Sequence, residues 1–154
     1  VESLQALQRP PRGPLAEIAP LTAADITAAM AALDAAQPLG QATRAVHAAG
    51  LWRPGEGLIA AREDVGRHNA LDKLIGSQFL ASALPVRDKI LLVSGRASFE
   101  LLQKSAMASI PLLAAVGAPS TLAVDLARDR GITLIGFLRN NRFNIYTADH
   151  RIRP

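Results

Sequence analysis

Glu63-Asp64-Val65-Gly66-Arg67-His68-Asn69 places two carboxylates, a guanidinium, an imidazole and an amide within seven residues. A histidine beside a carboxylate can move a proton near neutral pH, and an arginine can grip an anion through two parallel hydrogen bonds. The same stretch serves a structural end equally well, with Asp64 capping a helix, Asp72 and Lys73 on a solvated face and His68 packed near the helix start. Ser94-Gly95-Arg96-Ala97-Ser98 joins a hydroxyl, a glycine that admits a ligand to the backbone, an arginine and a helix start, which is the equipment for a phosphate or pyrophosphate. It also reads as a plain turn with Ser98 as a helix cap. Gly117 to Thr121 and Arg139 to Asn144 occupy equivalent places after later strands.

Other chemistries fail on residue type. His47 lacks the glutamate two residues on that a zinc deaminase uses, since Ala49 stands there, and the downstream cysteine pair is missing too. The 154 residues contain no cysteine, which removes a disulfide framework, a thiolate zinc site and a cysteine nucleophile from within them. Neither G-x-x-x-x-G-K-[ST] nor G-x-G-x-x-G occurs.

These residues need elements to hold them. Pro10, Pro11, Pro14, Pro20 and Gly13 break up residues 1–20, which read as a lead-in or linker before one α/β domain over 21–154. Thr22 and Asp25 form a capping-box pattern ahead of Ile26, Ala29, Met30 and Leu33 at helical spacing, and Pro38 stops that helix. Residues 45–52 and 58–62 read as a hairpin around Pro54, Gly55 and Gly57, followed by a helix from Gly66 to about Ala83. Three strands follow, at 90–93, 110–116 and 132–138, with helices at 98–108 and up to Gly131, and 143–147 closes the series. Alternating strands and helices predict an α/β fold with a mixed, largely parallel sheet and helices on both faces.

Composition agrees with a packed domain. Apolar residues make up 49% of the chain and aromatics 4%, which favours small aliphatic packing over a β-sandwich. The net charge is +4, but the arginines are scattered singly and no aromatic platform accompanies them, so no nucleic acid partner is expected. No apolar run reaches the length of a membrane span, and a soluble, cytoplasmic protein without a membrane partner is expected. The chain opens on Val1 rather than methionine, as a portion of a longer product would.

Several ordered motifs resemble one family. They are Glu-Asp-Val-Gly-Arg-His-Asn-Ala-Leu-Asp-Lys at 63–73, Ser-Gly-Arg-Ala-Ser-Phe-Glu at 94–100, Ile-Pro-Leu-Leu-Ala-Ala-Val at 110–116, Ala-Pro-Ser-Thr-Leu-Ala-Val at 118–124 and Gly-Phe-Leu-Arg through Asn-Ile-Tyr-Thr at 136–147. Together they resemble the formate dehydrogenase accessory sulfurtransferase family, FdhD. The resemblance implies a cytidine-deaminase-like fold and a sulfurtransferase-type carrier that takes sulfur from a cysteine desulfurase. It would deliver that sulfur to the bis-molybdopterin guanine dinucleotide cofactor (molybdenum or tungsten) of formate dehydrogenase, and a homodimer is implied as well. The family's Cys-Gly-x-Cys-Gly loop would lie upstream of Val1, so no catalytic residue is assigned within this chain.

By the same resemblance the cofactor-binding stretch maps onto Phe137, Leu138, Arg139, Asn140, Asn141 and Arg142. With the loop and helix-start residues Arg67, His68, Ser94 and Arg96 they form the candidate cofactor site, and a guanine nucleotide is its partial mimic. Arg44, Ala45, Asn140 and Asn141 stand where the family often has glycine, and side chains at 44 and 45 would intrude on a ligand that approached the backbone there. Two rival readings are a cysteine-free cofactor-binding chaperone and a nucleotide-acting enzyme using His68 and Asp64 as acid and base.

Overall fold

Local signals at the chain's start become structure as the residue types require. The computed structural model describes residues 15, 18, 20–82 and 88–153. β1 (Leu21–Thr22) leads into α1 (Ala23–Ala35), and the capping box forms in full: Asp25 N donates to Thr22 Oγ1 at 3.1 Å, and Thr22 N donates to the Asp25 carboxylate at 2.9 Å. The expected lead-in over 1–20 falls almost wholly outside the described residues, of which Leu15 and Ile18 pack half-buried against the core. Pro38 ends the first helical pattern and also opens a second, short helix, α2 (Pro38–Thr43), because proline's fixed φ suits a first helical position.

β2 (His47–Arg53) and β3 (Gly57–Asp64) form the expected antiparallel hairpin, and α3 (Arg67–Leu80) follows. Then come β4 (Ile90–Val93), α4 (Phe99–Met107), β5 (Leu112–Ala115), α5 (Thr121–Arg130), β6 (Thr133–Arg139) and β7 (Arg142–Thr147). The six long strands order as β3-β2-β4-β5-β6-β7. The sheet is mixed. Parallel pairing is confined to β4-β5-β6, so the expectation of a largely parallel sheet holds for its centre only; short turns return both edge strands antiparallel. A 3₁₀ turn (Asp149–Arg151) brings back β8 (Ile152–Arg153), which pairs parallel with β1.

Helices cover both faces. Ile90, Leu92, Leu112 and Ala114 meet Ile26, Ala29, Met30 and Leu33 of α1 on one face. Leu91, Val93, Leu113 and Ala115 meet α3, α4 and α5 on the other through Leu71, Leu74, Leu101, Leu102, Leu126 and several alanines. β4 and β5 are therefore buried on both sides, as their unbroken apolar runs require. Each large aliphatic side chain so buried contributes roughly 1.5–3 kcal/mol.

Carboxylates fix the corner between β3 and α3. Glu63 accepts from the first-turn amides of α2, Leu39 N at 3.1 Å and Gly40 N at 2.8 Å. Asp64 accepts from Gly66 N at 3.0 Å and pairs with Lys73 Nζ at 2.6 Å, while Lys73 also donates to the Glu63 carbonyl. Asp72 pairs with Lys104 at 2.7 Å and so ties α3 to α4. Lys73, the Gly66 N–H and Asn69 hold the Asp64 carboxyl down at about 2, below its ordinary value of about 3.9.

A depressed native pKa stabilises the fold above the unfolded value and loses that contribution as pH falls through the native one. Asp64→Asn is therefore expected to melt at a lower temperature than the parent at pH 7. The gap should be unchanged down to about pH 4 and close as pH approaches 2, in thermal melts followed by circular dichroism. A gap independent of pH across that window would show that Asp64 acts through something other than its charge.

Candidate functional site

The loops that leave the carboxyl ends of β4 and β5 are stitched to one another and to the outer part of β6 by main-chain hydrogen bonds. Val116 N donates to Val93 O at 3.2 Å, Gly117 N to Gly95 O at 2.9 Å, Ala97 N to Ala118 O at 3.3 Å, Ser120 N to Ala97 O at 3.0 Å and Phe137 N to Gly117 O at 3.2 Å. Above them opens a cleft of about 660 Å³ lined by His47, Arg67, Ser94, Gly95, Arg96, Val116, Gly117, Ala118, Phe137 and Arg139. Its place is the crevice beyond strand ends where open α/β sheets collect ligands.

Each wall has a local cause. Ser98 and Ser120 cap α4 and α5, accepting from Leu101 N at 3.4 Å and Ala123 N at 3.1 Å, so the structural reading of Ser98 holds while Arg96 still faces the cleft. Ser94 accepts from Ala48 N at 2.8 Å, which leaves its own O–H to donate. Arg67 is the first residue of α3, and its Nε is buried without a hydrogen-bond partner among the described residues. Phe137 sits at a register break in the β6–β7 pairing with φ of 55°; the resulting bulge presents its ring to solvent at 48% exposure. His47 lies over Gly95, where a Cβ would come within 3.1 Å of its Nδ1.

The electrostatics are one-sided. Arg67, Arg96 and Arg139 line the cleft, no carboxylate does, and none of the three has an ion pair among the described residues. Such a surface binds anions, and planar guanidinium groups match phosphate oxygens in pairs.

Among the sequence-derived candidates, Arg67, Ser94, Arg96, Phe137 and Arg139 come together here. Leu138, Arg139, Asn140 and Asn141 line a smaller hollow beside it. His68, the second residue of α3, and Arg142, exposed at the start of β7, line neither. Arg44 and Ala45 are exposed and also line neither, so their side chains do not intrude on the cleft. The acidic pair Glu63 and Asp64 is engaged with main-chain amides and Lys73 rather than poised over a ligand. His47 also lines the cleft, although the zinc-deaminase pattern fails at it; the sequence signal for this role is its place at a strand start beside the Ser94 loop.

Fold and cleft define an α/β domain with a cationic strand-end crevice suited to an anionic ligand. The profile of the FdhD/NarQ family matches residues 1–153, and the chain belongs to that family. It is 53% identical over 132 residues to the sulfur carrier protein FdhD of Nocardia farcinica, an alignment covering 85% of this chain and 47% of that protein. It is 50% identical over 151 residues to the protein of the same name from Mycolicibacterium paratuberculosis, covering 97% and 56%. A crystal structure described as that of a formate dehydrogenase accessory protein from Desulfotalea psychrophila matches with a TM-score of 0.85 at 34% identity, over 97% of this chain and 61% of that one. The chain thus spans about half the length of the curated relatives it matches. Among the described residues, no helix is long and apolar enough to cross a membrane.

The cleft's floor depends on close backbone approach at Gly117, where a Cβ would lie 3.0 Å from Gly95 O and 3.1 Å from Arg96 Cα. Main-chain atoms cannot swing aside as a side-chain tip can. Gly117→Ala should therefore cost about 1–3 kcal/mol in denaturant unfolding, whereas Gly76→Ala, on open helix surface, should be neutral or slightly stabilising. Equal stability of the two variants would mean that the loops do not constrain one another.

Proposed function

We propose that this domain holds the guanine nucleotide ends of a bis-molybdopterin guanine dinucleotide, carrying molybdenum or tungsten, while sulfur is delivered to it for a formate dehydrogenase. The cofactor is cargo rather than a resident group. The observation that carries this reading is the trio Arg67, Arg96 and Arg139 around one cleft with no carboxylate among its lining. A buried Arg67 Nε without a partner fits a phosphate oxygen, and about 660 Å³ lies within the usual ~300–1,000 Å³ of small-molecule sites. Phe137, exposed at the same cleft, offers a ring for a nucleobase to stack on.

Relatives named sulfur carrier proteins support the sulfur side of the reading. Accepting sulfane sulfur from a cysteine desulfurase takes a thiolate, and these 154 residues contain none. The accepting thiol is accordingly assigned to residues outside them, and the role of this chain is to bind and present the cofactor.

Guanosine diphosphate, as half of the cofactor's nucleotide ends, should bind this chain in calorimetry. A charge-assisted hydrogen bond is worth about 1.5–3 kcal/mol, so Arg96→Ala and Arg139→Ala should each weaken binding roughly ten- to a hundredfold. Arg128→Ala, on α5 and paired with Asp125, should bind like the parent. Unchanged affinity in all three variants would remove the cleft from consideration. With a cysteine desulfurase and labelled cysteine, the isolated chain should stay free of covalently bound label; a labelled chain would refute the external thiol.

A further inference from the structure

At the start of β2, His47 brings an imidazole into the lining of the arginine cleft, where every other basic lining residue is an arginine. Its ring rests on the Ser94 loop. A Cβ at Gly95 would stand 3.1 Å from His47 Nδ1 and 3.3 Å from its Cε1, with Arg67 Cδ 3.8 Å from the same point, so glycine there lets the ring and the Arg67 stem share one patch of main chain. Among the described residues the imidazole makes no hydrogen bond or ion pair, and neither of its nitrogens is shut away from solvent. The ring is therefore open to a ligand.

The charged groups around it come from each element that packs against the strand start. Asp64 of β3 is its partner in the antiparallel register and projects to the same face of the sheet. That carboxyl, held at about 2, keeps its charge wherever an imidazole titrates, and it is already paired with Lys73 at 2.6 Å. From α3 come Arg67 and Lys73, while His68 on another face of that helix lies outside the cleft. The loop after β4 adds Arg96 and the uncharged Ser94, β6 adds Arg139, and Arg44 is exposed three residues back in the chain. Guanidinium groups stay charged throughout, so His47 is the lining residue of this cleft whose type changes charge between about pH 5 and 8.

An anion seated against an imidazole favours its protonated form, and a charged N–H donor holds a phosphate oxygen about twice as strongly as a neutral one. Binding and protonation must then promote each other equally. We propose that His47 is a fourth cationic ligand of the anion in this cleft and takes up a proton as the anion binds, so that affinity rises as pH falls through the imidazole range. The inference rests on the cleft being an anion site and adds to it one proton-coupled contact. No bond of the anion is made or broken; a single proton passes from solvent to a ring nitrogen.

The test is calorimetry with inorganic pyrophosphate on the parent, His47→Gln and His47→Lys, from about pH 8 to about pH 5.5 at fixed ionic strength. The protonation of pyrophosphate itself is common to the three proteins and cancels in their affinity ratios. Glutamine stays neutral and lysine stays charged over this range, so the affinity of the parent relative to either variant should rise about tenfold as pH falls. Each ratio stands alone, so poor folding of one variant, seen in its melting temperature, leaves the other to decide. Calorimetry near pH 7 in buffers of different ionisation enthalpy should also show the parent taking up a larger fraction of a proton on binding than either variant. Ratios that stay flat while the parent binds pyrophosphate would overturn the part given to His47 and leave the cleft standing. A parent that binds no pyrophosphate at either pH would overturn the cleft, and this inference with it.

Discussion

Main-chain hydrogen bonding beyond the strand ends is the constraint on which the rest of this domain depends. The parallel pairing of β4-β5-β6 stops at Val93, Ala115 and Ile135, yet main-chain hydrogen bonds continue it through Val116, Gly117, Ala97 and Ser120 in the loops and Phe137 in the outer part of β6. An isolated bridge between Ala97 and Pro119 extends the same ladder. Loops tied in this way have few conformations left to lose when a ligand arrives, which favours binding by pre-organisation. Glycine is required where they cross: Gly95 lies under the His47 ring, Gly117 against the Gly95 carbonyl and Arg96, and Gly136 against Pro119. The serine caps of α4 and α5 belong to the same arrangement, because a helix whose first turn is capped fixes the direction in which the loop before it must enter.

Charge is sorted across the molecule by the same geometry. Glu63, Asp64 and Asp72 lie close to the cleft in sequence but are engaged by α2 amides, by Lys73 and by Lys104. Three arginines then line one cleft with no carboxylate among its lining residues. Like charges held together cost stability, and an anion entering between them would offset that cost, so the repulsion would be returned as affinity. Arg67 makes the connection explicit. It follows the Asp64–Gly66 corner at the first position of α3, so the ion pair that anchors the corner also aims the arginine.

The sequence was most legible where neighbours in the chain decide the outcome. Thr22 and Asp25 specify their helix start locally, the apolar runs at 90–93 and 112–115 specify buried strands, and Ser98 and Ser120 sit where caps belong. Features set across long sequence separations were not legible. The φ of 55° at Phe137 depends on an acceptor twenty residues back, at Gly117 O, and the pairing of β8 with β1 joins opposite ends of the described chain. His47 and Arg67 become neighbours over Gly95 only when β2 and β3 pair, with His47 opposite Asp64 in the register. Helix geometry keeps His68 out of the cleft: it adjoins Arg67 in the chain, but on a helix adjacent residues do not share a face.

Of the four positions at which the family resemblance leads one to expect glycine, three share one physical feature and Ala45 does not. Arg44, Asn140 and Asn141 have φ of 55°, 50° and 62°, the left-handed region in which glycine is at ease and most side chains are strained. Arg44 closes α2 by donating its N–H to Gly40 O at 2.8 Å, a helix end that glycine ordinarily provides. Asn140 and Asn141 are the central pair of a two-residue turn between the register partners Arg139 and Arg142, and two positive φ values in succession define the mirror-image turn that fits the twist of a hairpin. Asparagine tolerates that backbone better than other side chains, so the hairpin keeps its shape and gains two amide groups. Those groups line the hollow against α1. Asparagine at these two positions therefore keeps a path of the chain that glycine would also take, and places hydrogen-bonding side chains beside Arg139 where glycine would leave bare backbone.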